Sequence, residues 1–438
     1  MGRSSALAVV TGLLLATPAG AMTVTSTTTS VGGYKEPPQL ITTVRADAAA
    51  GEANRLVATQ GGDGKLVITD PGAPVTATGG CTAVDAHTAS CPDGDLFVTL
   101  GDGDDTASVT CADCRYERVS LDGGEGADTL TLPAALGTLD GGPGDDTLTG
   151  GGGTDTIDGG PGHDTIAAGA ANDVILEGSD PGGQDAIDGG AGDDTLSYSG
   201  ADVPVVVDLA ARTAGVSGAL ADIVSIENAT GGNAADLLLG DDASNRLFGA
   251  DPGAKVTAGD TIDGRGGDDH LRGTPKRDTI DGGAGDDDIN GLGGADQLTG
   301  GTGADAIGSY GRGRAHIGCG PGKDRFEPAV AGFSDPPVVT ADCERFAFVD
   351  GVDALVRLRP RHLALVVQRP DATLNGPCRF SFRVGARPPV RTVRVPVPKP
   401  RALQFGVPAA FFALPVAVRP RCAAKGTWTT LFLLSPAS

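Results

Sequence analysis

Aromatic residues are scarce in this chain. They make up 4% of 438 residues, with one Trp and four Tyr, and Met occurs only twice. A conventional close-packed globular core draws on more large side chains than that. Basic residues are in deficit too, 33 Lys and Arg against 56 Asp and Glu, a net charge of −23. A phosphate backbone would be repelled, so nucleic acid is excluded as an expected partner. Catalytic signatures are missing: there is no H-E-x-x-H of a metalloprotease and no G-x-S-x-G nucleophile elbow. The five histidines (His87, His163, His270, His316 and His362) are scattered. No enzymatic activity is expected, and the flanking regions lack the size of a familiar catalytic domain.

Long hydrophobic runs are absent. The apolar stretch Ala6 to Ala16 is too short to span a bilayer. With Arg3 before it and Pro18 and Ala19-Gly20-Ala21 after it, it reads as a secretory signal peptide, residues 1–21, cut after Ala21. The competing reading is a buried N-terminal helix. Phe405 to Val418 is apolar but broken by Pro408 and Pro415, which favours strands. No membrane span is expected.

What is abundant is glycine, 70 residues, and it is periodic. Asp146, Asp155, Asp164 and Asp173 stand nine apart, and after a slip of three come Asp185 and Asp194. A second run holds Asp260, Asp269, Asp278, Asp287, Asp296 and Asp305, again nine apart. Two residues after most of these acids sits an aliphatic, from Leu148, Ile157, Ile166 and Ile175 to Ile289, Leu298 and Ile307. Glycines fill the first half of each unit. A disordered Gly- and Asp-rich tract would give no reason for the aliphatic at position eight.

This pattern resembles the RTX nonapeptide, G-G-x-G-x-D-x-U-x with U a large apolar residue. The resemblance spans roughly residues 100 to 330 and is strict in 123–197 and 255–308. It implies an all-β fold, a parallel β-roll, with capping β segments. Six residues of each unit form a turn and three a short strand, with U pointing inward. Successive turns alternate between the two sides of a flattened coil, so the aliphatics stack into one narrow core. A single unit cannot bury its apolar face, so several must stack.

The position-six Asp is the candidate ligand. Calcium takes 6–8 oxygen ligands from carboxylates and carbonyls, and stacked turns line up both. The candidate metal residues are Asp128, Asp146, Asp155, Asp164, Asp173, Asp185, Asp194, Asp236, Asp260, Asp269, Asp278, Asp287, Asp296 and Asp305. The family places Ca2+ ions between adjacent turns on each side of the roll. No His/Cys cluster accompanies the acids, which disfavours zinc, and magnesium prefers rigid octahedral sites. The repeat region is therefore expected to be largely unfolded without calcium and to fold at roughly 10⁻⁴–10⁻³ M, the range of extracellular modules. Unit 132–140 lacks the Asp, 240–248 carries Asn245, and 309–317 carries Arg314 in its place. Those turns are expected to stack and bind weakly or not at all.

The flanks divide the rest. Residues 22–120 read as an N-terminal β cap, with a degenerate turn at Asp105, followed by a first roll block, 121–197. Residues 198–230 read as a hairpin insertion, with Asp236 restarting the phase of a second block, 231–345, where Asp324 is a degenerate site. Eight cysteines allow 105 connectivities. Local pairing would join Cys81 with Cys91, Cys111 with Cys114, Cys319 with Cys343 and Cys378 with Cys422. Cys111-Ala-Asp-Cys114 also has the spacing of a metal or redox motif. Residues 351–438 hold two acids and fourteen bases, net +12, against 54 acids and 19 bases before them, net −35. Their short apolar stretches suggest a small C-terminal β-sandwich-like domain, 350–438.

The reading is of a secreted, extracellular or cell-surface calcium-binding protein with a structural or adhesive role. Its partners would be calcium ions and a cell-envelope polymer or a host or neighbouring surface. The alternatives are an extracellular enzyme carrying the roll, or a calcium-dependent module binding envelope polymer.

Overall fold

The computed structural model describes residues 21–31, 39–49, 51, 53–61, 64–111, 118–132, 136–178, 180–309 and 313–328, and beyond these the strands alone, to residue 434. The proposed signal segment, apart from Ala21, lies outside the described residues. So do the side chains of Cys111, Cys114, Cys343, Cys378 and Cys422. Every regular element described is a strand. Among the described residues no helix is long and apolar enough to cross a membrane. The chain forms two compact units, Met1–Leu176 with Gly183–Asp194, and Glu177–Gly182 with Thr195–Ser438.

The first unit begins with antiparallel strands. Met22–Val31 pairs with Gln39–Asp47, and Arg55–Gln60, Lys65–Thr69 and Thr88–Pro92 form a meander. Arg55–Gln60 alternates exposed and buried, so Leu56 and Ala58 face the core. A Cys81–Cys91 disulfide closes the loop before Thr88–Pro92, as local pairing anticipates. The cap then gives way to parallel pairing. Gln39–Asp47 pairs with Asp95–Asp102, and Arg55–Gln60 pairs with Thr106–Cys111. Covering the first coil in this way leaves no bare sheet edge there.

The roll of this unit has two parallel sheets. In one, Thr106–Cys111, Thr129–Thr131, Thr147–Gly151, Thr165–Ala170 and Ala186–Ala191 follow in order. In the other the order is Asp95–Asp102, Val119–Glu125, Gly137–Asp140, Thr156–Asp158 and Val174–Leu176. Thr129 faces Thr147 and Thr138 faces Thr156, so a full coil is two nonapeptides, 18 residues. Leu130, Leu148 and Ile166 stack from one sheet and Leu139, Ile157 and Ile175 from the other, each 1% exposed or less. Full burial of each such side chain contributes about 1.5–3 kcal/mol. A core that needs only Leu and Ile explains why aromatics are dispensable.

The second unit repeats the plan. Thr195–Ser197, Asn228–Thr230, Arg246–Phe248, His270–Arg272, Asp288–Asn290, Ala306–Ser309 and Arg325–Pro328 stack in parallel. Opposite them run Val206–Asp208, Leu237–Leu239, Thr261–Asp263, Thr279–Ala284, Gln297–Thr302 and His316–Gly318. Thr213–Val216 folds back antiparallel on Val206–Asp208, and Ala219–Val224 pairs antiparallel with Thr213–Val216. Arg265 clamps that excursion, donating to both carboxylate oxygens of Asp208 at 2.8 and 3.0 Å. Cys319 is disulfide-bonded.

Toward the C-terminus the pairing turns antiparallel. Arg345–Ala347, Val352–Arg359, His362–Pro370 and Arg401–Gly406 form one series. Arg391–Val395, Cys378–Val384, Pro415–Arg421 and Thr429–Leu434 form the other. Each is hydrogen-bonded in parallel to a preceding strand pair: Arg325–Pro328 with Arg345–Ala347, and Val338–Val339 with Thr429–Leu434.

Candidate metal centre

Position six of each turn faces inward at the bend, beside the aliphatic core. All fourteen candidate aspartates are 3% exposed or less. Their carboxylates form ladders along the coil axis. In the first unit the amides of Asp105, Asp128, Asp146 and Asp164 donate to Oδ1 of Asp128, Asp146, Asp164 and Asp185, at 2.6–2.8 Å. On the opposite bend the amides of Gly137, Asp155 and Asp173 donate to Asp155, Asp173 and Asp194, at 2.7–2.8 Å. In the second unit the amides of Val205, Asp236, Asp260 and Asp278 donate to Asp236, Asp260, Asp278 and Asp296, at 2.8–3.2 Å. The fourth ladder runs from the amides of Asn245, Asp269, Asp287 and Asp305 to Asp269, Asp287, Asp305 and Asp324, at 2.8–3.1 Å.

The second oxygen of these carboxylates is treated differently. Oδ2 of Asp128, Asp146, Asp155, Asp173, Asp260, Asp269, Asp287, Asp296 and Asp305 is buried without a hydrogen-bond partner. An unsatisfied buried polar atom costs about 1–3 kcal/mol, more when charged. Burial, with the charges of stacked neighbours adding to it, lifts these groups out of the usual carboxylate range. Asp155, Asp164, Asp269 and Asp296 are pushed up to about 7, and Asp260 to about 8. Asp146, Asp173 and Asp287 reach about 6. A cation at the open oxygens would remove both the desolvation penalty and the repulsion.

The glycines make room for that. A Cβ on Gly141 would strike Asp146 Oδ2 and the Gly159 carbonyl, and one on Gly282 would strike Asp287 Oδ2 and the Gly300 carbonyl. So the first glycine of a turn is required by space, where a carboxylate and a carbonyl of the next coil crowd together. The second glycine is required by conformation, with φ of +93° at Gly142 and +98° at Gly283. Among the described residues, no three His, Cys, Asp or Glu side chains gather as a metal cage. The donors are hard oxygens, carboxylate and main-chain carbonyl, which fits calcium and not a soft transition metal.

Several turns depart from the plan. Asn245 sits in its ladder with a neutral amide: Oδ1 accepts from the Asp241 amide at 2.8 Å, and Nδ2 donates to the Glu227 carbonyl at 2.9 Å. Asp236 Oδ2 accepts from the Gly232 amide at 2.6 Å, and Asp278 Oδ2 from the Thr274 amide at 2.7 Å. The remaining turn is a correction. Arg314 does not occupy the Asp position; it is exposed, and buried Ala315 stands there, because His316 pairs with Gln297 across a 19-residue coil. Asp105 and Asp324, the degenerate sites, are also buried in the ladders, at 1% and 0% exposure.

The family model of the RTX calcium-binding nonapeptide repeat matches the chain in four copies, at residues 138–175, 182–201, 258–275 and 272–307. No curated protein matches the chain. All four matched stretches lie in the coiled strands and turns described above, so the parallel β-roll carries the RTX calcium-binding nonapeptide repeat.

Proposed function

We propose that this protein is exported and folds its roll on extracellular calcium, serving a structural or adhesive role at the cell surface rather than a catalytic one. The observation carrying this reading is the ladders of buried, partnerless Oδ2 atoms, nine among the fourteen candidate aspartates. A column of like charges in a dry bend opposes folding until a cation arrives, so binding free energy is folding free energy. Low calcium inside a cell keeps such a chain loose during export, and millimolar calcium outside folds it. The ligands are Asp128, Asp146, Asp155, Asp164, Asp173, Asp185, Asp194, Asp236, Asp260, Asp269, Asp278, Asp287, Asp296 and Asp305, with glycine carbonyls beside them. Asp236 and Asp278, whose second oxygens accept backbone amides, hold ions less tightly than the rest.

Limited proteolysis tests the proposal. With calcium at about 1 mM, the range of extracellular modules, fragments from the roll resist cleavage; in chelator they are cut within their glycine turns. Equal resistance in both conditions would overturn it.

A further inference from the structure

We propose that the N-terminal cap holds a divalent-cation site where it meets the first repeat turn, formed by Asp70 and Asp105 beside the Asn54–Arg55 step. Asp70 belongs to no nonapeptide; it ends the strand Lys65–Thr69 in the antiparallel meander. It is nevertheless fully buried, at 0% exposure, and Asp105 is at 1%. The two carboxylates are held by consecutive backbone amides. Asn54 N donates to Asp105 Oδ1 at 2.5 Å, and Arg55 N donates to Asp70 Oδ1 at 3.2 Å. Asp70 Oδ1 also accepts from the amides of Gly72 at 2.8 Å and Ala73 at 3.1 Å. That leaves one oxygen open on each residue. Oδ2 of Asp70 and Oδ2 of Asp105 are both buried without a hydrogen-bond partner. No ion pair to either is present among the described residues.

The surroundings supply the other requirements. A Cβ on Gly72 would lie 3.2 Å from both the Ala53 carbonyl and Asp70 Oδ1, so a main-chain carbonyl stands next to the carboxylate. Asn54 Nδ2 bridges Asp105 Oδ1 at 3.1 Å and the Leu100 carbonyl at 3.2 Å, fixing the Asp105 side chain. His87 Nδ1 lies 3.0 Å from the Asp70 carbonyl and 2.9 Å from the Ala73 carbonyl, pinning the Asp70–Ala73 turn. Two buried carboxylates on adjacent amides, each with a bare oxygen, ask for a hard divalent ion of the kind that suits oxygen donors. Asp105 is also the start of a repeat ladder, since its amide donates to Asp128 Oδ1 at 2.8 Å. An ion here would tie the folding of the cap to that of the first coil.

The identity of the ion rests on the calcium reading above; the existence of the site does not. Asp70→Asn in the full chain tests it, because an Asn oxygen still accepts from Arg55, Gly72 and Ala73. Calcium content after equilibrium dialysis is compared with that of the wild type. Amide hydrogen exchange with and without calcium is followed at residues 53–56 and 70–73, and at turn 141–146 as reference. The expected result is one ion fewer in the variant and loss of the calcium-induced protection in the cap, with turn 141–146 still protected. An unchanged ion count, or a wild-type cap that calcium leaves unprotected while the turn gains protection, would overturn the site alone. Calcium protecting neither segment of the wild type overturns the calcium reading. Manganese in the same dialysis then judges the site by itself, which stands if Asp70→Asn binds one ion fewer and falls if the counts agree.

Discussion

Most repeat aspartates use their two oxygens differently. Oδ1 accepts a backbone amide from the preceding coil and so records the register of the roll, while Oδ2 of nine of them is buried without a hydrogen-bond partner. Asn245 shows what happens when charge is not needed: its Nδ2 supplies the hydrogen and finds the Glu227 carbonyl. Asn245→Asp should reverse this. The calcium-free protein loses about 1–3 kcal/mol, the cost of an unsatisfied buried polar group, while the calcium-loaded protein gains an ion. Residual β signal in chelator and metal analysis check both halves.

The same carboxylates set a pH dependence whose sign is opposite to that of ordinary ion-paired acids. Their folded pKa values are raised, to about 7 for Asp155 and about 8 for Asp260 against 3.8 for the free side chain, so the folded calcium-free state holds more protons than the unfolded one. Their contribution is therefore most favourable below pH ~4 and is lost as pH rises toward 7–8. Calcium-stripped protein should hold more β structure at pH 4.5 than at pH 7.5, and calcium affinity should rise over the same window. A calcium-free β signal that climbs with pH would refute the assignment of these groups.

At the level of the element, the strands are too short to be stable by themselves; Thr156–Asp158 and Arg246–Phe248 are three residues each. They persist because each puts one aliphatic into a shared column. Ile157, 0% exposed, has such neighbours above and below, as Leu139 and Ile175. Ile157→Ala should cost about 2–5 kcal/mol and raise the calcium concentration at the folding midpoint, read by a denaturant titration at fixed calcium.

This level also shows what the sequence carries and what it hides. The nine-residue spacing of acid and aliphatic specifies the coil, the inward face and the ladder positions directly, because one residue type per position suffices. The 18-residue amide-to-carboxylate bond is less visible, since it joins residues two units apart. Arg314 is misplaced because one added residue in that coil moves Ala315 into the bend, which no fixed spacing reveals. Asp70 carries no periodic signal at all; only the fold of the meander brings it to Asn54–Arg55. Asp105 is legible as a degenerate turn, but the 23 residues that separate it from Asp128, in place of 18, hide its place in the ladder.

For the whole molecule, composition and architecture agree. Scarce aromatics suit a core one aliphatic deep, abundant glycine suits tight bends, and the excess of acid suits the proposed role of the ladder carboxylates as cation ligands. The stretch 351–438, with fourteen Lys and Arg, carries a charge opposite to that of the roll, and we propose that it binds an anionic envelope polymer. Co-sedimentation of the full protein with isolated envelope should be calcium-dependent and weaken as salt rises.

The most direct measurement is a calcium titration of the mature protein followed by far-UV circular dichroism, with magnesium as control. The account predicts a cooperative gain of β signal with calcium at roughly 10⁻⁴–10⁻³ M and none with magnesium. A full β signal in chelator, unchanged by calcium, would contradict it.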